Sequence, residues 1–310
     1  MPGTSMAIQI ENVYKKFGKY TVLDNLSLHV GYREIYGFLG LNGAGKTTTI
    51  KMLLAMIRPN SGSLYMMGEK VDAGNYKLWG KVGYLEEATF YPELTVVENL
   101  EIARRMQGIP DKASIQKVID KMGLEPHINK KAKHLSLGNK QRLGLAKALI
   151  HEPKILILDE PINGLDPAGI VEIRELLRDL AENHGVTVFI SSHLLEELSK
   201  LATRIGIIHE GRLIEEIRAD KLEQELEKCL LLDGKDRDSI KHILTNNGYK
   251  FDVDPQGTIR LTDGNSVHNP EQLSALLVNS GQPPTMVQVI TEDLESYFLR
   301  KISGNTRGRQ

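Results

Sequence analysis

Gly40-Leu41-Asn42-Gly43-Ala44-Gly45-Lys46-Thr47-Thr48 fills every fixed position of a G-x-x-x-x-G-K-[ST] loop, a pattern built to hold phosphate. Its glycines let backbone N–H groups turn inward where a side chain would block the approach. A helix starting at the end of the loop adds about half a positive charge at the same place. Lys46 is positioned to reach the β- and γ-phosphates of a nucleoside triphosphate, and the Thr47 hydroxyl to hold Mg²⁺. A nucleoside triphosphate and Mg²⁺ are therefore the expected ligands.

A second chemical feature lies downstream. Ile155-Leu156-Ile157-Leu158 is an apolar run that ends in Asp159-Glu160-Pro161, so a strand delivers two carboxylates at its C-terminal edge, where parallel sheets bind ligands. Asp159 is expected on the Mg²⁺ shell, and Glu160 as the general base that polarises water. Leu135-Ser136-Leu137-Gly138-Asn139-Lys140-Gln141-Arg142 precedes an apolar helix running to Leu149. Ser136 stands at its N-cap, leaving free N–H groups and a positive dipole end pointing outward.

These groups need a sheet and helices to hold them. Glu34 to Leu39 reads as a short apolar strand entering the phosphate loop, and Thr48 to Leu54 as the helix leaving it. Ala7 to Val13, Leu26 to Val30 and Ser63 to Met67 alternate apolar and polar residues, as an antiparallel flank would. Thr95 to Met122 is charged and 3.6-periodic, broken at Gly108-Ile109-Pro110, and belongs to a helical insertion spanning about 88–150. Ile155 to Leu158 and Val186 to Ile190 are nearly continuous apolar runs, the pattern of central parallel strands covered on both faces. Between them Ile170, Ile173, Leu176, Leu177 and Leu180 fall at helical spacing. Ile205 to Ile208 and Arg212 to Glu215 form a terminal hairpin.

From Asp220 the character changes, giving expected domains of 6–219 and 220–303. Two β-α-β passes follow a charged linker: strand Leu230 to Leu232, helix Asp238 to Asn246 and strand Tyr249 to Val253, then strand Thr258 to Leu261, helix Pro270 to Asn279 and strand Thr285 to Val289. A small α+β ferredoxin-like sandwich is expected, with a last helix from Thr291 to Lys301.

Composition narrows the setting. Lys+Arg 39 against Asp+Glu 40 leaves a net charge of -1, so no global basic field advertises nucleic acid. Cys229 stands alone and cannot form an internal disulfide, which points to a reducing cytoplasm. No apolar stretch reaches the ~20 residues of a membrane span, so any membrane role requires a separate polypeptide. Met1 to Ser5 read as an untemplated leader or a cloning scar, with Met6 as an alternative start.

In combination, the phosphate loop, the Ser136 helix start and the Asp-Glu strand resemble the nucleotide-binding domain of ATP-binding cassette (ABC) proteins over Met6 to about Arg218. Leu137 replaces the first glycine, and Asn139 the glutamine, of that family's usual Leu-Ser-Gly-Gly-Gln. The resemblance implies an α/β P-loop fold of ABC type, with a parallel core, an antiparallel flank and a helical insertion. It further implies base contacts from Phe17, with Tyr14 as the alternative, and from Val22. It also implies that Ser136, Gly138 and Asp166 contact ATP across a head-to-tail dimer, and that His193 in Ser191-Ser192-His193 senses the γ-phosphate. Lys46, Glu160 and His193 are the expected catalytic set; Thr47, Asp159 and Glu87 are the expected metal set.

The family's metal-binding glutamine is acidic in this chain, and counting from Gly83 selects Glu87 whereas counting back from Tyr91 selects Glu86. The acidic pair, with Lys140-Gln141-Arg142-Leu143-Gly144 and Asn163-Gly164-Leu165-Asp166-Pro167-Ala168-Gly169, is similar to the subgroup exporting antimicrobial peptides, such as bacitracin-resistance and lantibiotic-immunity ATPases. The C-terminal Glu292 to Phe298 is similar to that subgroup's accessory domain. The implied partners are a transmembrane permease and a second ATPase subunit, identical or homologous, at the inner face of the cell membrane. A soluble ABC ATPase acting on ribosomes or DNA is the alternative, and a binding module without turnover a third reading.

Overall fold

The computed structural model describes residues 6–86, 90–254 and 256–306. Glu87 and Met1 to Ser5 lie outside them. The chain forms two compact units that divide between Asp220 and Lys221.

In chain order, the strands of the first unit are β1 (Met6–Phe17), β2 (Tyr20–Gly31), β3 (Ile35–Leu39), β4 (Ser61–Met66), β5 (Glu69–Lys70), β6 (Val82–Leu85), β7 (Ile155–Asp159), β8 (Thr187–Ser192), β9 (Arg204–His209) and β10 (Arg212–Arg218). The larger sheet runs β10-β9-β3-β8-β7-β6. Its interior is parallel, and only the β9–β10 hairpin is antiparallel. Ile155, Leu156, Ile157 and Leu158 are all fully buried, as are Val188, Phe189 and Ile190, because helices leave no solvent face on central parallel strands. The smaller sheet, β2-β1-β4-β5, is antiparallel. One apolar core joins the sheets: Ile8, Ile10, Leu26 and Leu28 meet Tyr36, Phe38 and Phe189. Tyr36 and Phe189 stack there with ring centroids 5.6 Å apart.

The flank strands extend well beyond the alternating stretches. β1 reaches Phe17 and β2 starts at Tyr20, since the two pair to the end of their hairpin through several register shifts. Cross-strand pairing and bulges, rather than local alternation, hold that distal part.

The helices of this unit are α1 (Lys46–Leu53), α2 (Tyr76–Trp79), α3 (Val96–Met106), α4 (Ala113–Met122), α5 (Leu137–Leu149), α6 (Pro167–Glu182) and α7 (Leu195–Leu201). Thr95 and Glu98 form a reciprocal capping box at the start of α3, so the helix begins where its first N–H groups find partners. In α4, Ile115, Val118, Ile119 and Met122 supply a buried stripe, and Gly123 ends the helix in the left-handed conformation. Together α3, α4 and α5 make the insertion between β6 and β7.

The second unit contains α8 (Leu222–Glu225), β11 (Lys228–Gly234), α9 (Arg237–Asn246), β12 (Asp252–Val253), β13 (Ile259–Leu261), α10 (Gly264–His268), α11 (Pro270–Asn279), β14 (Pro284–Thr291) and α12 (Leu294–Thr306). Its sheet order is β12-β13-β11-β14, with every neighbour antiparallel, the arrangement of a β-α-β-β-α-β sandwich. Leu230, Leu232, Ile259 and Leu261 of the sheet meet Ile240, Leu244, Leu273 and Leu277 of the helices. β12 is shorter than the expected strand because Gly248 turns left-handed and Tyr249 still donates back to Leu244 of α9. Among the described residues no helix is long and apolar enough to cross a membrane.

Candidate functional site

The phosphate loop bridges β3 and α1. At Gly40 an added Cβ would lie 2.7 Å from both the side chain and the carbonyl oxygen of Ile208, so only glycine fits beside β9. Gly45 has φ +112° and forms the N-cap of α1, which starts the helix at Lys46, two residues ahead of the expected Thr48. The N–H of Gly211, in the β9–β10 turn, donates to the carbonyl of Ala44 and ties the loop to the sheet edge. Gly40 and Ala44 thereby shape the loop from behind.

Leu41, Asn42, Gly43, Gly45, Thr47 and Thr48 line an open cleft of about 1050 Å³, with Lys46 at its base. The Lys46 ammonium is buried, donates to the Gly40 carbonyl at 2.6 Å and lies 3.2 Å from Glu160 Oε1. Asp159 and Glu160 line the same cleft. Glu160 has φ +50°, a left-handed backbone uncommon outside glycine, and its N–H donates to Ser191 Oγ at 3.1 Å. Ser191 in turn donates to Asp159 Oδ1 at 2.5 Å, and His193 Nδ1 stands 2.9 Å from Glu160 Oε2. The fold thus brings the expected catalytic trio, Lys46, Glu160 and His193, into one chain of contacts.

The end of β6 adds negative charge. Glu86 lines the cleft and lies 3.9 Å from Lys51 Nζ on α1. Burial pushes the Tyr84 hydroxyl well above its ordinary titration range, and the negative fields of Glu86 and Asp159 push it further. Thr47, Asp159 and Glu86 offer oxygen donors only, which suits a small hard cation completed by phosphate oxygens. Among the described residues there is no cluster of three or more His, Cys, Asp or Glu that would hold a metal by itself.

The remaining expected contacts divide. Ser136 caps α5 by accepting from the Asn139 N–H at 3.3 Å, and Asp166 caps α6 by accepting from the Gly169 N–H at 2.9 Å. With Gly138 these two residues line a separate hollow of about 190 Å³, not the phosphate cleft. Leu137, which stands where a glycine is usual, is half exposed, and a Cβ on Gly164 would meet its Cδ2 at 2.7 Å. The glycine at 164 makes room for the leucine.

Val22 lines the phosphate cleft, but Phe17 does not. Lys15 Nζ sits 4.8 Å over the Phe17 ring, and Tyr20, its direct cross-strand partner, reaches the cleft instead. Tyr14 pairs with Ser61 in the flank and is likewise outside the lining. Sequence reasoning also missed Phe90, Lys140, Gln141 and Asn163 on the cleft wall. Lys140 and Gln141 follow Ser136 by about one helical turn, so α5 geometry was the available signal. Gln141 is buried, and its Oε1 has no hydrogen-bond partner among the described residues.

Known proteins resemble this chain in sequence and fold. The family description "ABC transporter" matches residues 23–163. The bacitracin transport ATP-binding protein BcrA of Bacillus licheniformis is 39% identical over 307 residues, covering 98% of this chain and all of that one. The lantibiotic transport ATP-binding protein SrtF of Streptococcus pyogenes is 38% identical over 213 residues, 69% of this chain and 91% of its own. Among solved structures, a dimeric post-hydrolysis state of the ATP-binding cassette MJ0796, bound to ADP and Pi, is 26% identical with a TM-score of 0.63, covering 68% of this chain and 98% of that one. End-to-end likeness to such a relative, together with the phosphate loop and carboxylate pair, shows that the chain belongs to the ABC transporter ATP-binding proteins and is an α/β P-loop ATPase.

Proposed function

We propose that this ATPase dimerises head to tail and drives a separate membrane permease that exports a peptide antibiotic or similar amphiphile. The observation that carries the dimer is the division of the site: within one chain, Leu137, Lys140 and Gln141 of α5 border the phosphate cleft, whereas Ser136, Gly138 and Asp166 line a separate hollow. A second copy would set its α5 N-terminus against the γ-phosphate, where N–H groups and the helix dipole favour negative charge. Triphosphate then favours the closed dimer because only that state supplies both sets of contacts. The partner subunit is either identical or homologous.

Within the cleft, Lys46 exchanges the Glu160 carboxylate for phosphate oxygens. Glu160, still oriented by His193, is then free to accept the proton of the attacking water. Thr47, Asp159 and the glutamate at 86 or 87 would hold Mg²⁺, which when bound neutralises charge on the β- and γ-phosphates. Transport as the purpose is supported by the relatives named for bacitracin and lantibiotic transport. The protein would act at the cytoplasmic face of the membrane through its permease.

The test is co-expression with the permease in a sensitive host, scored by survival against bacitracin and a lantibiotic. Protection should require an intact Glu160. Equal protection by Glu160→Gln would sink the proposal.

A further inference from the structure

We propose that Ser191 is the positioning residue that sets both active carboxylates, a role separate from that of His193. The residue is fully buried in β8 and stands directly across the parallel ladder from Asp159. Its Oγ is 2.5 Å from Asp159 Oδ1 and 3.1 Å from the Glu160 backbone nitrogen. The directions of these bonds are forced. An amide nitrogen only donates and an ionised carboxylate only accepts, so the single hydroxyl proton goes to Asp159 while a lone pair receives the Glu160 N–H.

Each bond controls a different carboxylate. The contact to Asp159 has the short separation of a charge-assisted hydrogen bond and holds one oxygen of a carboxylate that lines the cleft. The bond from Glu160 occupies the N–H of a residue held at φ +50°, where a non-glycine side chain pays a conformational cost and persists only if its surroundings enforce it. That backbone conformation aims the Glu160 side chain at Lys46 and His193. One hydroxyl therefore fixes the metal-side carboxylate and the base together, while Ser191 itself is fully buried and outside the cleft lining.

This role rests on the hydrolytic reading of the site and is tested on the full-length protein. Ser191→Ala and Ser191→Cys, the latter keeping the volume, should each lower kcat about 10- to 100-fold with KM for ATP within about twofold of wild type, the usual scale for removing an orienting outer partner. Affinity for a fluorescent ATP analogue in EDTA should stay unchanged, because the phosphate loop is intact, whereas the Mg²⁺ concentration giving half-maximal turnover should rise about 10-fold. Ser191→Thr, which keeps the hydroxyl, should recover most of kcat. Wild-type kcat in Ser191→Ala overturns the role, as does a parallel loss of kcat, EDTA-state affinity and thermal stability, which would mark a merely structural serine. Failure of the wild-type protein to bind or hydrolyse ATP would reject the hydrolytic reading instead.

Discussion

The ammonium of Lys46 and the carboxylate of Glu160 meet at 3.2 Å, although 114 positions of sequence separate them. Lys46 leaves the phosphate loop after β3 and Glu160 follows β7, and the strand between these two, β8, supplies Ser191 and is followed by His193 at the same place. The two opposite charges are thereby held in contact at the C-terminal ends of the strands of one sheet.

Glu160→Gln should keep ATP binding and lose turnover by about 10² to 10⁴, the usual scale for removing a general base. The amide preserves shape but cannot take the proton. Lys46→Ala should lose binding as well, because the ammonium is the buried charge beneath the phosphate loop. Equilibrium binding of labelled ATP, measured beside steady-state hydrolysis, separates the two effects. Turnover of Glu160→Gln within a few-fold of wild type would remove Glu160 from the base role.

Ser136→Arg should abolish ATP-dependent dimerisation while leaving the nucleotide affinity of the monomer nearly intact. The substitution fills the hollow around Gly138 and Asp166 but leaves the phosphate cleft alone. Size-exclusion chromatography of the Ser136→Arg, Glu160→Gln double variant with ATP decides the matter. A persistent dimer rejects the head-to-tail arrangement.

Glu86→Ala should reduce transport at least as strongly as hydrolysis in the assembled transporter, since Glu86 lines the cleft and lies 3.9 Å from Lys51 of α1. Glu87→Ala provides the comparison at the neighbouring position. Survival of the sensitive host and ATPase rate are measured on the same preparations. Normal transport by both variants would leave the acidic pair as a solvated loop.

Tyr20→Ala should weaken ATP binding about tenfold, the effect of losing one aromatic stacking contact of about 1 to 3 kcal/mol, while Phe17→Ala changes it less. Affinity for inorganic triphosphate, which has no base, should be equal in the two variants. A larger loss in Phe17→Ala would return the base contact to that ring.

His151 supplies a pH dependence. Its Nε2 lies 3.0 Å from the Val82 carbonyl and must carry the proton there, which leaves a buried Nδ1 with no partner among the described residues. Burial lowers its pKa below the ordinary 6.5, a shift the Val82 carbonyl only partly opposes. As pH falls through 6.5 the unfolded chain binds the proton first, so His151 contributes stability above that value and loses it below, toward the folded-state pKa. Urea midpoints of wild type and His151→Gln between pH 7.5 and pH 5 should show a steeper acid loss for wild type. Parallel curves would remove His151 from the pH response.

Local chemistry was sufficient to read the loop, the carboxylate strand and the caps, because glycine geometry, apolar runs and capping residues act over a few positions. Gly40 to Thr48, Asp159-Glu160 and Ser136 each carry their meaning within about ten residues. The β-α-β-β-α-β order after Asp220 was legible for the same reason, since periodicity marks each element in turn. Tertiary structure decided the rest. That Tyr20 rather than Phe17 reaches the cleft depends on hairpin pairing and on the Lys15 ammonium over the Phe17 ring. Gln141 joined the cleft wall only when α5 folded over it. Ser191 showed a role only when parallel pairing set it opposite Asp159, a contact across 32 positions for which no local pattern provides a signal.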